Sequence, residues 1–360
     1  MAINLAEKYS SNVDEVMKKG ALTNGAVNQN YDFVGAKTVK VYGMGTAKMN
    51  DYKPTGTDRY GTPEELDDTT QELTLSRMRS FTFTIDATNR VDSPEGVRDA
   101  AKALRRQIDQ VIIPEIDSYR LTKAAENAGT KLVGGAERSV AFSTFLKLTE
   151  ALDNAEVPDT GRMAFCTPWF INNLKTSDEF IKASEMSQEM LIKGQIGEAD
   201  GTAIIKTPVS RMPAGASCLI SHAMAMPAPT KLAEYKIHDN PPGVAGHLIE
   251  GLIYYDAFVL GNKKNAVAVL FGELGELKAE MTAADTGKGK ITVKGNIAGK
   301  LMYKTGASVT APKLGDDISK WTELPADGII AATTGNKVAI AAGVNGEAVA
   351  AVMLDAVVGA

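Results

Sequence analysis

The chain is short of the residues that most enzymes rely on. Only two cysteines, three histidines and two tryptophans occur in 360 residues. Cys166 and Cys218 sit in apolar surroundings, MAFCTPW and GASCLIS, and read as buried thiols ahead of a disulfide or a catalytic pair. His222, His238 and His247 stand near one another in sequence, but no two are four residues apart and no HExxH pairing is present, so a metal site is not supported. A Cys166–His222 nucleophilic dyad can be drawn on paper, yet no local signature surrounds either residue. Basic charge is also lacking. Lys and Arg total 39 against 44 Asp and Glu, a formal charge of −5, which excludes gripping nucleic acid as the main task because that needs a dense basic face to displace counterions. No apolar run approaches the ~18 residues of a membrane span, so no membrane partner is expected. The opening MAINLAEKYSSNVDEVMKKG is amphipathic and charged rather than leader-like, which points to synthesis in a reducing cytoplasm.

What is present is apolar patterning on a large scale. With 44% hydrophobic residues the chain can fill more than one core, and the reading is α+β with two or three domains. Residues 94–127 form the organising element. Val97, Ala101, Leu104, Ile108, Val111 or Ile112, and Tyr119 recur at steps of three and four, which lays an apolar stripe along one long helix. Asp92 or Ser93 caps its start, Pro94 suits the first position and Glu95 complements the dipole; Asn127 and Gly129 mark the end. Pro114 lies inside, so a kink or a split is expected near Val111 to Ile113. An aspartate at Ile108 would put a charge on the apolar stripe and is expected to abolish soluble assembly.

Around this helix the pattern is one of reach. Residues 4–19 read as an amphipathic helix with Leu5, Tyr9, Val13, Val16 and Met17 on one side, followed by GALTNGAVNQNYDFVG, a polar linker with little to bury. AKTVKVY alternates as a half-buried strand, and a long turn-rich connection follows it. QELTLSR and SFTFTIDA each alternate cleanly and suggest a two-stranded hairpin turning near Arg77 to Arg79, which must lie on something else to be stable. Residues 135–250 read as one α+β domain. Leu252 to Leu260 and Ala266 to Phe271 read as apolar segments joined by a GNKKN turn. After Gly272 the chain turns to short β-like runs between glycine turns, with Asn345-Gly346 as the strongest hairpin signal. Residues 276–360 are therefore expected to be a small separate β domain behind the linker LGELKAEMTAADTGKG, with a loosely ordered tail as the alternative given its alanine and glycine content, and a chain cut before 276 is expected to keep a folded core.

Candidate sites are few. Gly43-Met-Gly45 lacks the third glycine of a dinucleotide fingerprint, and Gly295 to Leu301 is one spacer short of a phosphate loop; both read as turns. The acidic stretch Glu64, Glu65, Asp67, Asp68 reads as a solvated loop. Arg98, Lys102, Arg105 and Arg106 lie together on the long helix. They are either exposed pairs with Glu95, Asp99 and Asp109 or a subunit contact, and Phe81 and Phe83 on the neighbouring strand are candidates for the same contact. No catalytic, cofactor-binding or metal-ligating residues are assigned.

DDTTQELTLSRMRSFTFTIDATNRVDSP, in which an F-x-I-D strand precedes the helix, and VIIPEIDSYRLTKAAENAG, with its I-P-E-I-D-x-Y run, resemble the major capsid proteins of tailed bacteriophages, the Hong Kong 97-type fold. The resemblance covers about residues 1–275 in order. It implies an N-terminal arm (1–35), an E-loop (36–93), a peripheral domain with its spine helix (94–134), an axial domain (135–250), a return to the peripheral domain (251–275), and a C-terminal β-rich domain (276–360) outside the common core. It also implies self-assembly as hexamers and pentamers into an icosahedral shell that encloses double-stranded DNA, touched non-specifically, with scaffolding, portal and decoration proteins as further partners. The virion is the implied location, with assembly in the host cytoplasm and scaffolding supplied by another chain. No cofactor is implied. Some members crosslink through an E-loop lysine; Lys48 and Lys53 lie in the matching region, and their chemistry is not carried over. The alternative is a soluble enzyme or carbohydrate-binding protein with an appended β module, using Cys166 or a histidine.

Overall fold

The computed structural model describes residues 20–28, 38–57, 59–62, 65–66, 68–87, 100–177 and 197–359. The expected arm helix over 4–19, the capping residues of the long helix, and Val97 and Arg98 lie outside the described residues. In chain order, Thr38–Met44 (β1) and Asp68–Thr74 (β2) pair antiparallel, and Arg77–Asp86 (β3) follows. The spine comes next as Ala100–Gln107 (α1), a π-helical turn over Ile108–Ile112, and Ile113–Glu126 (α2). Then come Thr130–Val133 (β4), Ala141–Asn154 (α3), Arg162–Cys166 (β5), Pro168–Thr176 (α4), Glu198–Ala199 (β6), Thr202–Lys206 (β7) and Ala216–His222 (β8). Thr230–Asp239 (β9), Gly246–Tyr255 (β10) and Val267–Phe271 (β11) complete the first three quarters.

The spine neither splits nor breaks at its proline. Pro114 has no N–H to donate, and the helix absorbs this by widening one turn: the Ile113 N–H bonds Ile108 O in place of the carbonyl one residue later. Gln107, Ile112 and Ile113 all keep right-handed helical dihedrals. The apolar stripe then packs on a sheet. Ile112 is buried with Ile253 and Tyr255, and Ile108, Ile116, Tyr119, Phe81 and Tyr235 close around them. That sheet is antiparallel in the order β3-β10-β9.

A second, six-stranded mixed sheet runs β4-β11-β8-β5-β7-β6. Its middle strands are buried on both faces, and their alternation divides two cores. Ala164, Cys166, Cys218, Ile220, Ala268 and Leu270 face α3 and α4, packing on Phe145, Leu148, Leu152, Phe170 and Leu174. Phe165, Leu219, Val267, Val269 and Phe271 face the other way, onto Leu121, Ala124 and Ala125 of the spine. Thr167 caps α4 by accepting from the Phe170 N–H at 3.4 Å, with Pro168 in the first turn where its missing N–H costs nothing.

Five expectations are corrected. β2 and β3 do not form a hairpin with each other: β2 pairs with β1, and β3 pairs with β10. Leu73 and Leu75 continue one buried row with Leu260, and the Ser76 N–H and hydroxyl are held by Asp256 at 2.8 and 2.9 Å, so the chain passes from one sheet to the next without turning back. The boundary at 250/251 falls inside the continuous strand β10, so the 135–250 segment already contains β9 and the first half of β10, both in the spine's sheet. β10 and β11 likewise belong to different sheets, despite the turn between them. The stretch beginning GALTNGAVN is not a linker with little to bury, because Thr23, Ala26, Val27 and Asn28 are all buried.

The fifth correction concerns the C-terminal module. Gly275–Glu276 (β12) and Lys278–Ala283 (β13) occupy the expected linker, and Lys288–Lys294 (β14) begins in its last two residues. Lys300–Gly306 (β15), Thr322–Glu323 (β16), Ile329–Ala331 (β17), Lys337–Val344 (β18) and Glu347–Asp355 (β19) follow. They form two sheets, β12-β19-β18-β15-β16 and β13-β14-β17. The β18–β19 hairpin turns at Asn345 and Gly346, both at positive φ, as the Asn-Gly signal indicated. The module's Ile291, Ile330, Ile340 and Val349 belong to the same buried cluster as Leu121 and Phe271. Contact is close: a Cβ on Gly215 (φ +80°) would lie 2.2 Å from the Val349 carbonyl, and the Ala214 N–H donates to Asn296 O at 2.8 Å. A chain ending at 274 is therefore expected to lose soluble yield and cooperative melting, which a solubility assay with circular dichroism would measure. A monodisperse, cooperatively melting truncation would restore the picture of an independent module.

Candidate assembly surfaces and the motif behind them

The I-P-E-I-D-x-Y run ties the spine to three separate parts of the chain. Glu115 receives Arg79 at 2.7 Å and Arg77 at 3.3 Å, which joins the helix to β3. Tyr119 donates to Asp256 at 2.7 Å, and the same carboxylate holds Ser76 and accepts from the Ala257 N–H. The Arg77 guanidinium lies 5.1 Å from the centre of the Tyr119 ring. Burial, reinforced by Asp256, pushes the Tyr119 hydroxyl well above its ordinary range, so it stays a donor.

Asp117 has the most connections. One oxygen accepts from the Leu22 N–H at 2.9 Å and Arg211 at 2.8 Å; the other accepts from the Thr23 hydroxyl at 2.6 Å and its N–H at 3.2 Å. Arg211 also donates to Gly20 O at 2.7 Å, and Arg120 to Thr23 Oγ1 and Asn24 Oδ1, both at 3.0 Å. Asp117 and Arg211 are almost wholly buried, with side-chain exposures of 1% and 4%. Burial lowers the Arg120 pKa against the pull of Asp117. A buried ion pair is tolerated only when its remaining hydrogen-bonding groups are matched, and Asp117 meets that condition. The result anchors residues 20–24 at a fixed point on the spine.

The β1–β2 hairpin projects from this frame. Its base packs Leu73, Leu75, Val39 and Val41 on Leu260, Tyr254 and Phe258. Its tip is exposed throughout nearly all of the described stretch between the two strands, with Met49, Tyr52, Tyr60 and Leu66 open to solvent, as is Tyr42 on β1. Tyr52 and Tyr60 meet edge to face at 5.2 Å. Such apolar exposure on an extended element marks a surface made for a partner.

The candidate contact residues are distributed unevenly. Arg98 lies outside the described residues. Lys102 and Arg105 are exposed on α1 with Arg106 beside them, and Arg105 stands 3.8 Å from Asp109 as a solvated pair. Phe81 does not face outward: it packs within the spine's cluster, stacked on Phe83 at 6.1 Å and near Tyr235 at 6.2 Å, over the space left by Gly251. Phe83 is half-buried beside it. Asp117, Arg211 and Asp256 were not singled out from sequence. A signal was available for the first, because a carboxylate in phase with Leu121 and Ala124 on the buried face requires a buried partner.

The scarce reactive groups are occupied elsewhere. Cys166 and Cys218 stand opposite each other across β5 and β8, free thiols 3.3 Å apart in a closed core, and burial pushes the Cys218 thiol well up. His222 Nε2 contacts Thr160 O at 2.9 Å, while its Nδ1 accepts from the Met224 N–H. Among the described residues, no three His, Cys, Asp or Glu side chains group as metal ligands, and no helix is long and apolar enough to cross a membrane.

No family model matches the chain, and no curated protein does. Solved structures resemble it closely in fold. A chain from Mycobacterium phage Che8 aligns over 75% of this chain and 98% of its own length, with a TM-score of 0.63 at 19% identity. The capsid of cyanophage P-SCSP1u aligns over 75% and 93%, with a TM-score of 0.61 at 11% identity. The head of Helicobacter pylori bacteriophage KHP40 aligns over 74% and 95%, with a TM-score of 0.58 at 12% identity. The chain thus has the α+β fold of phage capsid and head structures, the Hong Kong 97 type that its F-x-I-D and I-P-E-I-D-x-Y runs resemble.

Proposed function

We propose that the chain is a major capsid protein of a tailed bacteriophage, assembling with copies of itself as hexamers and pentamers into an icosahedral head around double-stranded DNA. The observation that carries this is the fold, matched over nearly the full length of the capsid and head chains it resembles. The projecting hairpin supports it: a two-stranded ribbon with exposed Met49, Tyr52 and Tyr60 at its tip is stable only when it lies across something else. Extended elements of this kind let a subunit bury interface well beyond a typical ~800 Å² per partner without enlarging its core. Formal charge of −5 suits a container whose DNA must stay mobile.

The role is structural. Cys218, with its thiol held protonated by burial, is the opposite of an activated nucleophile. On this reading residues 1–35 form the arm, the β1–β2 hairpin the E-loop, and the spine with β3, β9 and β10 the peripheral domain. The sheet around β8 belongs to the axial domain, and the 276–360 module adds to the shell. Scaffolding, portal and decoration proteins are the further partners, and the virion is the location. Purified chain, with and without a scaffolding or packaging partner, is expected to form rings or shells in electron micrographs. A strictly monomeric protein under both conditions would overturn the reading.

A further inference from the structure

The sheets of this chain are finished in different ways. The six-stranded sheet ends on the two-residue β6 and the four-residue β4, and the large sheet of the C-terminal module ends on the two-residue β12 and β16. Short terminal strands leave little backbone to recruit a stray partner. The β3-β10-β9 sheet, by contrast, ends on ten-residue strands at both edges. At β3, Arg77 and Arg79 are already held by Glu115. The outer side of β9 meets no other described strand, and Glu234, Lys236, Ile237, His238 and Asp239 are all exposed along it.

The charge order on β9 selects its partner. Glu234 and Lys236 share one face, 3.3 Å apart, with Tyr235 between them on the face that packs toward Phe81. If a second β9 is laid antiparallel alongside, with the two Tyr235 residues opposite each other, Glu234 of each copy stands across from Lys236 of the other. Directly opposed residues in such a ladder sit ~5 Å apart, close enough for both pairs to attract. On the inner face Ile237, 41% exposed in the single chain, extends the apolar row of Tyr235 and Phe81 across the seam. The outward N–H and C=O groups of both edges are then paired. The contact is self-complementary, as a two-fold contact must be, and an icosahedral shell contains two-fold axes.

The geometry points to β9 as a two-fold seam at which this chain pairs with a second copy of itself, antiparallel about Tyr235. The inference rests on the capsid reading and names one of its interfaces.

Charge exchange tests it on the full chain. Glu234→Lys places lysines across from Lys236 twice, and Lys236→Glu places carboxylates across from Glu234 twice. Each variant alone is expected to self-associate on the order of tenfold more weakly in sedimentation velocity. An equimolar mixture of the two, in which every opposed pair is again lysine against glutamate, is expected to recover wild-type association. The double variant Glu234→Lys/Lys236→Glu is expected to do the same by itself. Single variants that assemble like the wild type, or a mixture and a double variant that both stay weak, would overturn the seam and leave the capsid reading in place. Wild-type chain that never assembles would overturn the capsid reading itself.

Discussion

Asp117→Ala is expected to destabilise the chain by about 3–5 kcal/mol, the range for breaking one side of a buried ion pair. The loss goes beyond one contact. Arg211, 4% exposed, would lose the carboxylate that balances its charge, and the Leu22 and Thr23 N–H groups would lose their acceptor. Since whole domains are stable by only about 5–15 kcal/mol, most of the margin could go. Asp117→Asn keeps the shape and some acceptor capacity but removes the charge that balances Arg211, so an intermediate loss is expected. Urea unfolding of the three proteins would order them wild type, Asn, Ala. A tenth of the expected loss in the alanine variant would show that the network contributes little. Limited proteolysis adds a second readout, because residues 20–24 are held chiefly through Asp117 and should become susceptible to cleavage when it is lost.

Ile112→Asp should be as damaging, and more so than Ile108→Asp. Ile112 is 7% exposed and packs against Ile253 and Tyr255, whereas Ile108 is only partly covered at the rim of the same cluster. A carboxylate at Ile112 would be desolvated among the apolar side chains of the cluster. That costs several kcal/mol or forces the helix off its sheet. Both variants should lose shells in electron micrographs, and thermal melts should rank Ile112→Asp below Ile108→Asp. The reverse ranking would mean that the π turn does not direct the stripe as described.

How legible the molecule is depends on the range of the interaction. The spine could be read because helical periodicity is written within a few residues: Ile108, Ile112 and Tyr119 of the expected stripe face one sheet, while Ala101 is exposed. The turn at Asn345-Gly346 could be read because positive φ is a property of those two residues alone. The strands β5, β11, β18 and β19 were legible one at a time for the same reason. Pro114 was legible as a disturbance, but whether a helix kinks, splits or widens by one residue depends on what its flanks pack against. The roles of Asp117 and Asp256 were not legible, since their partners lie 94 or more residues away in sequence.

Strand partners and joints were left to the tertiary structure. Alternation in QELTLSR and SFTFTIDA marks two strands, yet it carries no information on which neighbour each will take. Leu73 and Leu75 went to Leu260, and Phe81 went to the spine. The same holds for the C-terminal module, whose glycine turns read as a detached domain until Gly215 and Val349 are seen in contact. The sequence by itself determined the spine helix, the Asn345-Gly346 turn and strands such as β5, β11, β18 and β19, and that the chain carries more reach than a single compact core requires. Only the tertiary structure decided which edges are paired and which, like β9, meet no further strand among the described residues, because pairing is a competition among distant segments settled by burial and hydrogen bonding rather than by local pattern.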